Sequence, residues 1–396
     1  MDVISIIQNI AAVGKDFVLN KLGAREQLMN LAFSLAASLE TPSEAIARIG
    51  WAEPANFAMV RIAIDLSIFE TLKAAQGKSV TVTELSKPGN ADPAFVLRMM
   101  RQMAAMNIVA EAAAGEFKAT YLSDAFTEQR YRAGLIYTYD VAGPSFRQLP
   151  EFSKQTAYKN PDNPVGGPFQ FGHGTKDHFF PWISANAPYL ELFNDYMKGY
   201  RAGKASWLDP GLFPVEAALQ MDETAVKFND YAIVDVGGGM GHDLLEFKKK
   251  FPSIKGRMLV QDRPEVISQI KDLPAEIEAM EHDFFTPQSI HGAKIYYLHS
   301  VLHDWDDEKC ISLLENLKPA LRPGYSKVLI NDLVVPDEGA SWTVTSMDLL
   351  MMALGSVKER TEEDWRALVR KAGYSLVKIT VIESGSESII ELELPA

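Results

Sequence analysis

The chain is 396 residues long, 47% hydrophobic and 23% charged, a globular composition with room for two domains or one large domain with an appendage. Its formal net charge of −13 opposes binding to a polyanion such as DNA, and no local basic face relieves that balance. The one cysteine, Cys310, excludes an intramolecular disulfide or a cysteine metal cluster, and fits a reducing, cytoplasmic setting.

The N-terminus carries Asp2 where a secretory signal needs a basic residue, and no apolar run reaches the roughly 18 residues of a membrane span. Residues 1–50 read as helical. Val3, Ile6, Ile7 and Ile10 share one stripe, Leu28, Leu31, Leu35 and Leu39 another, and Thr41-Pro42-Ser43-Glu44 reads as a capped helix start. These stripes must be buried, against a second subunit or against the chain's own surface.

Residues 58–74 read as one helix, Thr81–Leu85 opens a second, and Asp92-Pro93 caps a third that runs through Phe95 to Met106. Two short strands then flank a turn at Gly115. Three helices and a hairpin make a winged-helix pattern. A DNA-reading helix needs cations, whereas the third helix offers Arg98 and Arg101 among Met99, Met100, Met103 and Met106. The wing therefore reads as a packing or dimerising module. The stretch 131–215 is rich in aromatic residues, from Tyr137 to Trp207, and reads either as core or as lining for a flat apolar ligand.

From Tyr231 onward strand-like runs alternate with helical patterns, which predicts an α/β doubly wound, mostly parallel sheet. The last two runs, 375–382 and 388–394, are close enough for an antiparallel hairpin at one edge.

Ile233-Val-Asp-Val-Gly-Gly-Gly-Met-Gly241 puts a glycine loop between a strand and a helix, the context of a cofactor loop. Gly237, Gly238, Gly239 and Gly241 allow sharp turning and close approach. A dinucleotide loop spaces its glycines G-x-G-x-x-G around a pyrophosphate; the G-x-G-x-G spacing here suits an adenosyl ligand without phosphates, S-adenosylmethionine. Asp262 ends the second strand, where a carboxylate can accept both ribose hydroxyls; it can equally cap the helix that Pro264 opens. Asp283 and Phe284 follow the third strand, placed to meet an adenine amino group and to stack on the ring.

After the fourth strand comes His299-Ser-Val-Leu-His303-Asp-Trp-Asp-Asp-Glu308. His303, just beyond the strand, is suited to take a proton from a hydroxyl near neutral pH, although a helix-capping role fits too. Asp306, Asp307 and Glu308 read as the first turn of a helix, and no metal site is expected. Asp332 lies in an apolar strand, where a carboxylate needs a partner. Glu359 by itself reads as an exposed acid before a helix.

These residues resemble the plant and fungal small-molecule O-methyltransferases of the caffeate and hydroxyindole type. The resemblance covers nearly the whole chain and is strongest at Val234–His242, Leu302–Cys310 and Lys358–Thr361. Gln261-Asp-Arg-Pro264 leans toward the fungal branch. It implies a dimerisation domain over 1–130, an aromatic connector over 131–215 that contributes to the substrate pocket, and an S-adenosylmethionine-binding domain over 216–396. It further implies a homodimer, a small-molecule hydroxyl acceptor, and no nucleic-acid or membrane partner. By the same resemblance His303 is the general base, Asp332 and Glu359 flank it, and His299 lies near the cofactor. The family usually carries Glu where this chain has Asp332. Some fungal proteins on this scaffold instead use the bound cofactor for pericyclic rearrangement; His303 with two supporting acids favours methyl transfer.

Overall fold

The computed structural model describes residues 2–200, 203–221, 230–383 and 385–395. The chain divides into two compact units, neither continuous in sequence: Met1–Pro150 with Gly172–Ala202, and Glu151–Phe171 with Gly203–Ala396.

The first unit opens with helices Val3–Val18 and Ala24–Leu39, followed by Pro42–Ala47. The cap at Thr41 forms as expected: its side chain accepts from Glu44 N, and Glu44 answers to Thr41 N. Of the apolar stripes on the first two helices, Ile6 is buried, while Ile7 and Leu39 are exposed. The helix expected over 58–74 is in fact two, Glu53–Asp65 and Ile68–Ala74. Ser67 breaks it by adopting φ +54°, outside the helical region, which turns Ile68, Phe69 and Leu72 into the core.

The hairpin forms a three-stranded sheet. β1 (Val80–Thr81) pairs antiparallel with β3 (Glu116–Lys118), which also pairs with β2 (Ala110–Ala113). The third helix, Pro93–Ala105, buries Met99, Met100 and Met103 against Phe69, Leu72 and Phe117. The methionines are packing material, as their spacing predicts. Later in this unit aromatic rings pack on one another: Tyr137 stands 5.6 Å from Phe193 and 6.0 Å from Tyr196, and Trp182 stacks on Tyr189 at 5.5 Å.

The second unit is built on seven strands: β4 (Tyr231–Val236), β5 (Arg257–Asp262), β6 (Ile277–Glu281), β7 (Ile295–His299), β8 (Lys327–Asp332), β11 (Ser375–Val381) and β12 (Ser388–Glu393). Their order is β11-β12-β8-β7-β4-β5-β6. Strands β4 to β8 are parallel, and β4, β5, β7 and β8 are buried on both faces, hence their largely apolar runs, while the edge strand β6 alternates half-buried and exposed residues after Ile277. One face packs Val234, Tyr296 and Leu298 with Leu313 and Trp365; the other packs Ile233, Tyr297 and Leu329 with Leu244 and Phe247. The closing hairpin does form, but the final strand β12 inserts between β8 and β11, antiparallel to both.

Strand order reverses at β4, which is flanked by β5 on one side and β7 on the other. The carboxyl ends of β4 and β7 form the switch point where ligands bind in open α/β sheets. A further two-residue parallel ladder joins β9 (Val334–Val335) to β10 (Arg360–Thr361). It ties the chain just after Asp332 to the chain just after Glu359.

Because Ile390 of β12 is fully buried opposite Ile330, Ile390→Ala is expected to lower unfolding stability by roughly 2–5 kcal/mol in urea titrations. A loss well under 1 kcal/mol would show that β12 contributes little to this core.

Candidate functional site

The glycine loop leaves β4 at the switch point. The N–H groups of Gly237 and Gly238 donate to the carbonyl of Gln261 on β5, at 2.8 and 3.1 Å, fixing the loop's entry. Gln261 is in turn held by reciprocal amide bonds to Gln288. Gly237, Gly239 and Gly241 all adopt positive φ, and a Cβ on Gly238 would meet the Asp235 carboxylate at 2.4 Å. Glycine is required at these positions by backbone conformation and by space. The Asp262 carboxylate accepts from Gly239 N at 2.8 Å and from Arg263 N at 2.7 Å. Asp262 thus braces the loop tip, and the lone pairs left on its oxygens can take further donors.

Phe284 lies beside the loop, its ring 3.6 Å from where a Cβ on Gly237 would stand, with Phe285 and Trp305 edge-on to it. Asp283 is exposed and closes its own turn by accepting from Phe285 N. Its side chain therefore serves first as a local cap.

His299 ends β7, flanked by two carboxylates. Nδ1 faces Asp243 Oδ2 at 2.5 Å, in the first turn of the helix after the glycine loop, and Nε2 faces Glu387 Oε2 at 3.2 Å, just before β12. Nearby Asp235 is completely buried, and neither of its oxygens has a hydrogen-bond partner. Burial, and next Asp243, push its carboxyl well above the usual carboxylate range, against the pull of His299.

His303 sits in a short 3-10 turn, Leu302–Asp304, rather than capping the next helix; that cap is Asp306, whose carboxylate accepts from Lys309 N. The His303 Nδ1–H donates to Glu359 Oε1 at 2.9 Å, and Nε2 lies 3.7 Å from Asp304 Oδ1. Burial pulls this imidazole down, but Glu359, then Asp304, outweigh it and hold it at about 10. Glu359 is buried, not the exposed acid its local sequence indicates, and its N–H donates to Asp348. Asp332, buried at the end of β8, makes no hydrogen bond through either oxygen. It acts on His303 by charge alone, and burial pushes its carboxyl up to about 7. Burial likewise holds Asp304 at about 6.

The structure therefore joins Gly237, Gly238, Gly239, Gly241, Asp262 and Phe284 into one cradle and pairs His303 with Glu359. It leaves Asp332 near this pair without a hydrogen bond to it, and Asp283 engaged in its own turn. Sequence reasoning gave no role to Asp235, Asp243, Asp304 or Glu387. Asp235 carried a signal, as a lone charge in an apolar strand. Glu387 carried none, lying 88 residues from its partner His299.

Known proteins match along the whole chain. The O-methyltransferase domain family matches residues 218–375, and the O-methyltransferase dimerisation domain family matches residues 56–129. The O-methyltransferase mpaG of Penicillium roqueforti is 41% identical over 394 residues, covering 99% of this chain and 98% of that protein. Among solved structures, one described as a pericyclic reaction enzyme superposes with a TM-score of 0.89 at 26% identity, with 99% of each chain covered. OxaC in complex with SAH and oxaline superposes at 0.86 and 27% identity, again with 99% of each chain covered.

Asp332 binds its proton more tightly folded than unfolded, so it costs stability as pH rises from about 4 through 7, by on the order of a few kcal/mol above that window. Asp332→Asn is expected to raise the melting temperature at pH 8 and to change it little near pH 4. An equal gain at both pH values would show that the carboxylate's charge is not the cause.

Proposed function

This chain belongs to the O-methyltransferase family and is an S-adenosylmethionine-dependent enzyme; we propose that it methylates a phenolic hydroxyl of a flat aromatic or polyketide-like small molecule, with His303 as general base. The observation that carries this reading is the buried His303–Glu359 pair beside a glycine cradle.

The residues present fit the cofactor. The tight Gly237–Gly241 turns leave room for a ligand against the backbone, Asp262 can take ribose hydroxyls, and Phe284 offers a face to the adenine, with Asp283 at its edge. Beneath the loop the Asp235 carboxyl lies buried without a hydrogen-bond partner, and burial pushes it well above the usual carboxylate range. When bound, S-adenosylmethionine supplies a methyl group on a sulfonium.

His303 receives the hydroxyl proton at Nε2, while Glu359 holds Nδ1–H and so fixes the tautomer and orientation of the ring. Glu359 and Asp304 raise the proton affinity of the imidazole, which favours proton uptake by its neutral form, and a phenol, whose acidity resembles that of tyrosine, gives up its proton more readily than an aliphatic alcohol. Asp332 adds charge that favours the imidazolium formed. Holding the reactants aligned can supply about 7–11 kcal/mol of the barrier.

The likeness to a pericyclic reaction enzyme favours a second reading, in which the bound cofactor assists rearrangement and its methyl stays in place. Retention of His303 on Glu359 supports methyl transfer, because a rearrangement needs no base of that kind.

The dimerisation-domain match supports a homodimer. So do the N-terminal helices, which leave Ile7 52%, Phe33 57% and Trp51 71% exposed, an apolar surface suited to a second copy of the chain. No helix among the described residues is long and apolar enough to cross a membrane.

His303→Gln is expected to bind S-adenosylmethionine as the wild type does, by calorimetry, and to form S-adenosylhomocysteine with hydroxylated aromatic acceptors at least about 10²-fold more slowly. Undiminished turnover removes His303 as base, and wild-type product formation without cofactor consumption establishes the pericyclic reading. Light scattering should give a dimer mass that Ile7→Glu with Phe33→Glu shifts toward the monomer; an unchanged mass places the interface elsewhere.

A further inference from the structure

Arg360 opens β10 and is almost completely buried, at 2% exposure. A guanidinium has a permanent charge and five N–H donors in a rigid planar fork, so burying it is costly unless those donors are met. Here Nη1 donates to the carbonyl of Leu302 and Nη2 to the carbonyl of Trp305, both at 2.9 Å. Nε and Nη2 also converge on Asp307 Oδ1, at 3.0 and 2.8 Å. Leu302 and Trp305 bracket the turn that carries His303 and Asp304. The Cys310 thiol donates to the same two carbonyls, at 3.1 and 3.5 Å.

Glu359, the preceding residue, takes the Nδ1–H of His303. Two consecutive residues thus grip one short turn: Glu359 by its imidazole, Arg360 by its main chain. The β9–β10 ladder anchors both to the end of β8.

An ion pair with Asp307 does not account for this placement, since 47% of that side chain is exposed and the pair could form at the surface. Nor does volume, because a methionine would fill the space without desolvating a charge. What the fork adds is reach to two carbonyls in one plane, which a lysine ammonium cannot span.

We propose that Arg360 is a positioning residue for methyl transfer, clamping the Leu302–Trp305 main chain so that the His303 imidazole stays on the Glu359 carboxylate. The proposal rests on the reading of His303 as base, but its test does not need turnover.

Protein labelled with 15N-histidine is titrated by NMR, with the His303 signals identified by their absence in His303→Gln. In the wild type His303 is expected to lose its proton near 10. In Arg360→Met the turn relaxes, the Nδ1–H bond to Glu359 loosens, and the midpoint should fall by about one pH unit or more toward the ordinary histidine value. Glu359→Gln should lower it as well, and adding Arg360→Met in that background should change it little further, because both act through one contact. Arg360→Lys keeps the buried charge and carries the same measurement if Arg360→Met does not fold; it too should lower the midpoint. An unchanged midpoint in a folded Arg360 variant overturns the proposal, as does a full additional shift in the Glu359→Gln background. Either result leaves the reading of His303 as base intact, while a lowered midpoint together with undiminished turnover in His303→Gln removes that reading alone.

Discussion

Asp235, Asp332 and Glu359 lie buried at the carboxyl edge of one sheet, with the imidazoles of His299 and His303 set among them. Charge in a low-dielectric interior is costly unless paired, and this arrangement pairs it unevenly. Glu359 has a hydrogen-bonded imidazole, whereas Asp235 and Asp332 have none and are pushed toward their protonated forms. The His303–Glu359 contact, with Asp304 beside it, raises the imidazole against the pull of burial, whereas burial itself raises the carboxyls of Asp304 and Asp332.

That contact is assembled by small devices rather than by the sheet alone. His303 leaves β7 through a 3-10 turn, and Glu359 arrives 56 residues later between a helix and a two-residue strand. The β9–β10 ladder has two residue pairs, yet it brings the chain beyond Asp332 beside the chain beyond Glu359. Arg360 and Cys310 then hold the carbonyls of the turn. On the opposite side of the switch point, Gln261 holds the start of the glycine loop and Asp262 its tip.

Where the resemblance leads one to expect glutamate, Asp332 stops without a hydrogen bond and influences His303 through charge. A scaffold shared with a pericyclic reaction enzyme and with OxaC is consistent with function being set by such local changes and not by the fold.

The sequence by itself determined what depends on local periodicity and on glycine. The alternating strands and helices, the loop at Gly237–Gly241, the methionine-packed helix and the cap at Thr41 are all local, and all appear where the residues place them. The break at Ser67 is a local departure that periodicity could not reveal, because the apolar spacing continues through it. Only tertiary structure decided which charges meet. Glu359 reads as an exposed acid beside its own helix and becomes a buried partner because β10 turns inward. Glu387 and Asp243 converge on His299 from positions 88 and 56 residues away, and the insertion of β12 beside β8 positions the first of them. Hydrogen bonds between distant side chains leave no period in a sequence, so their existence is settled by the order of the strands.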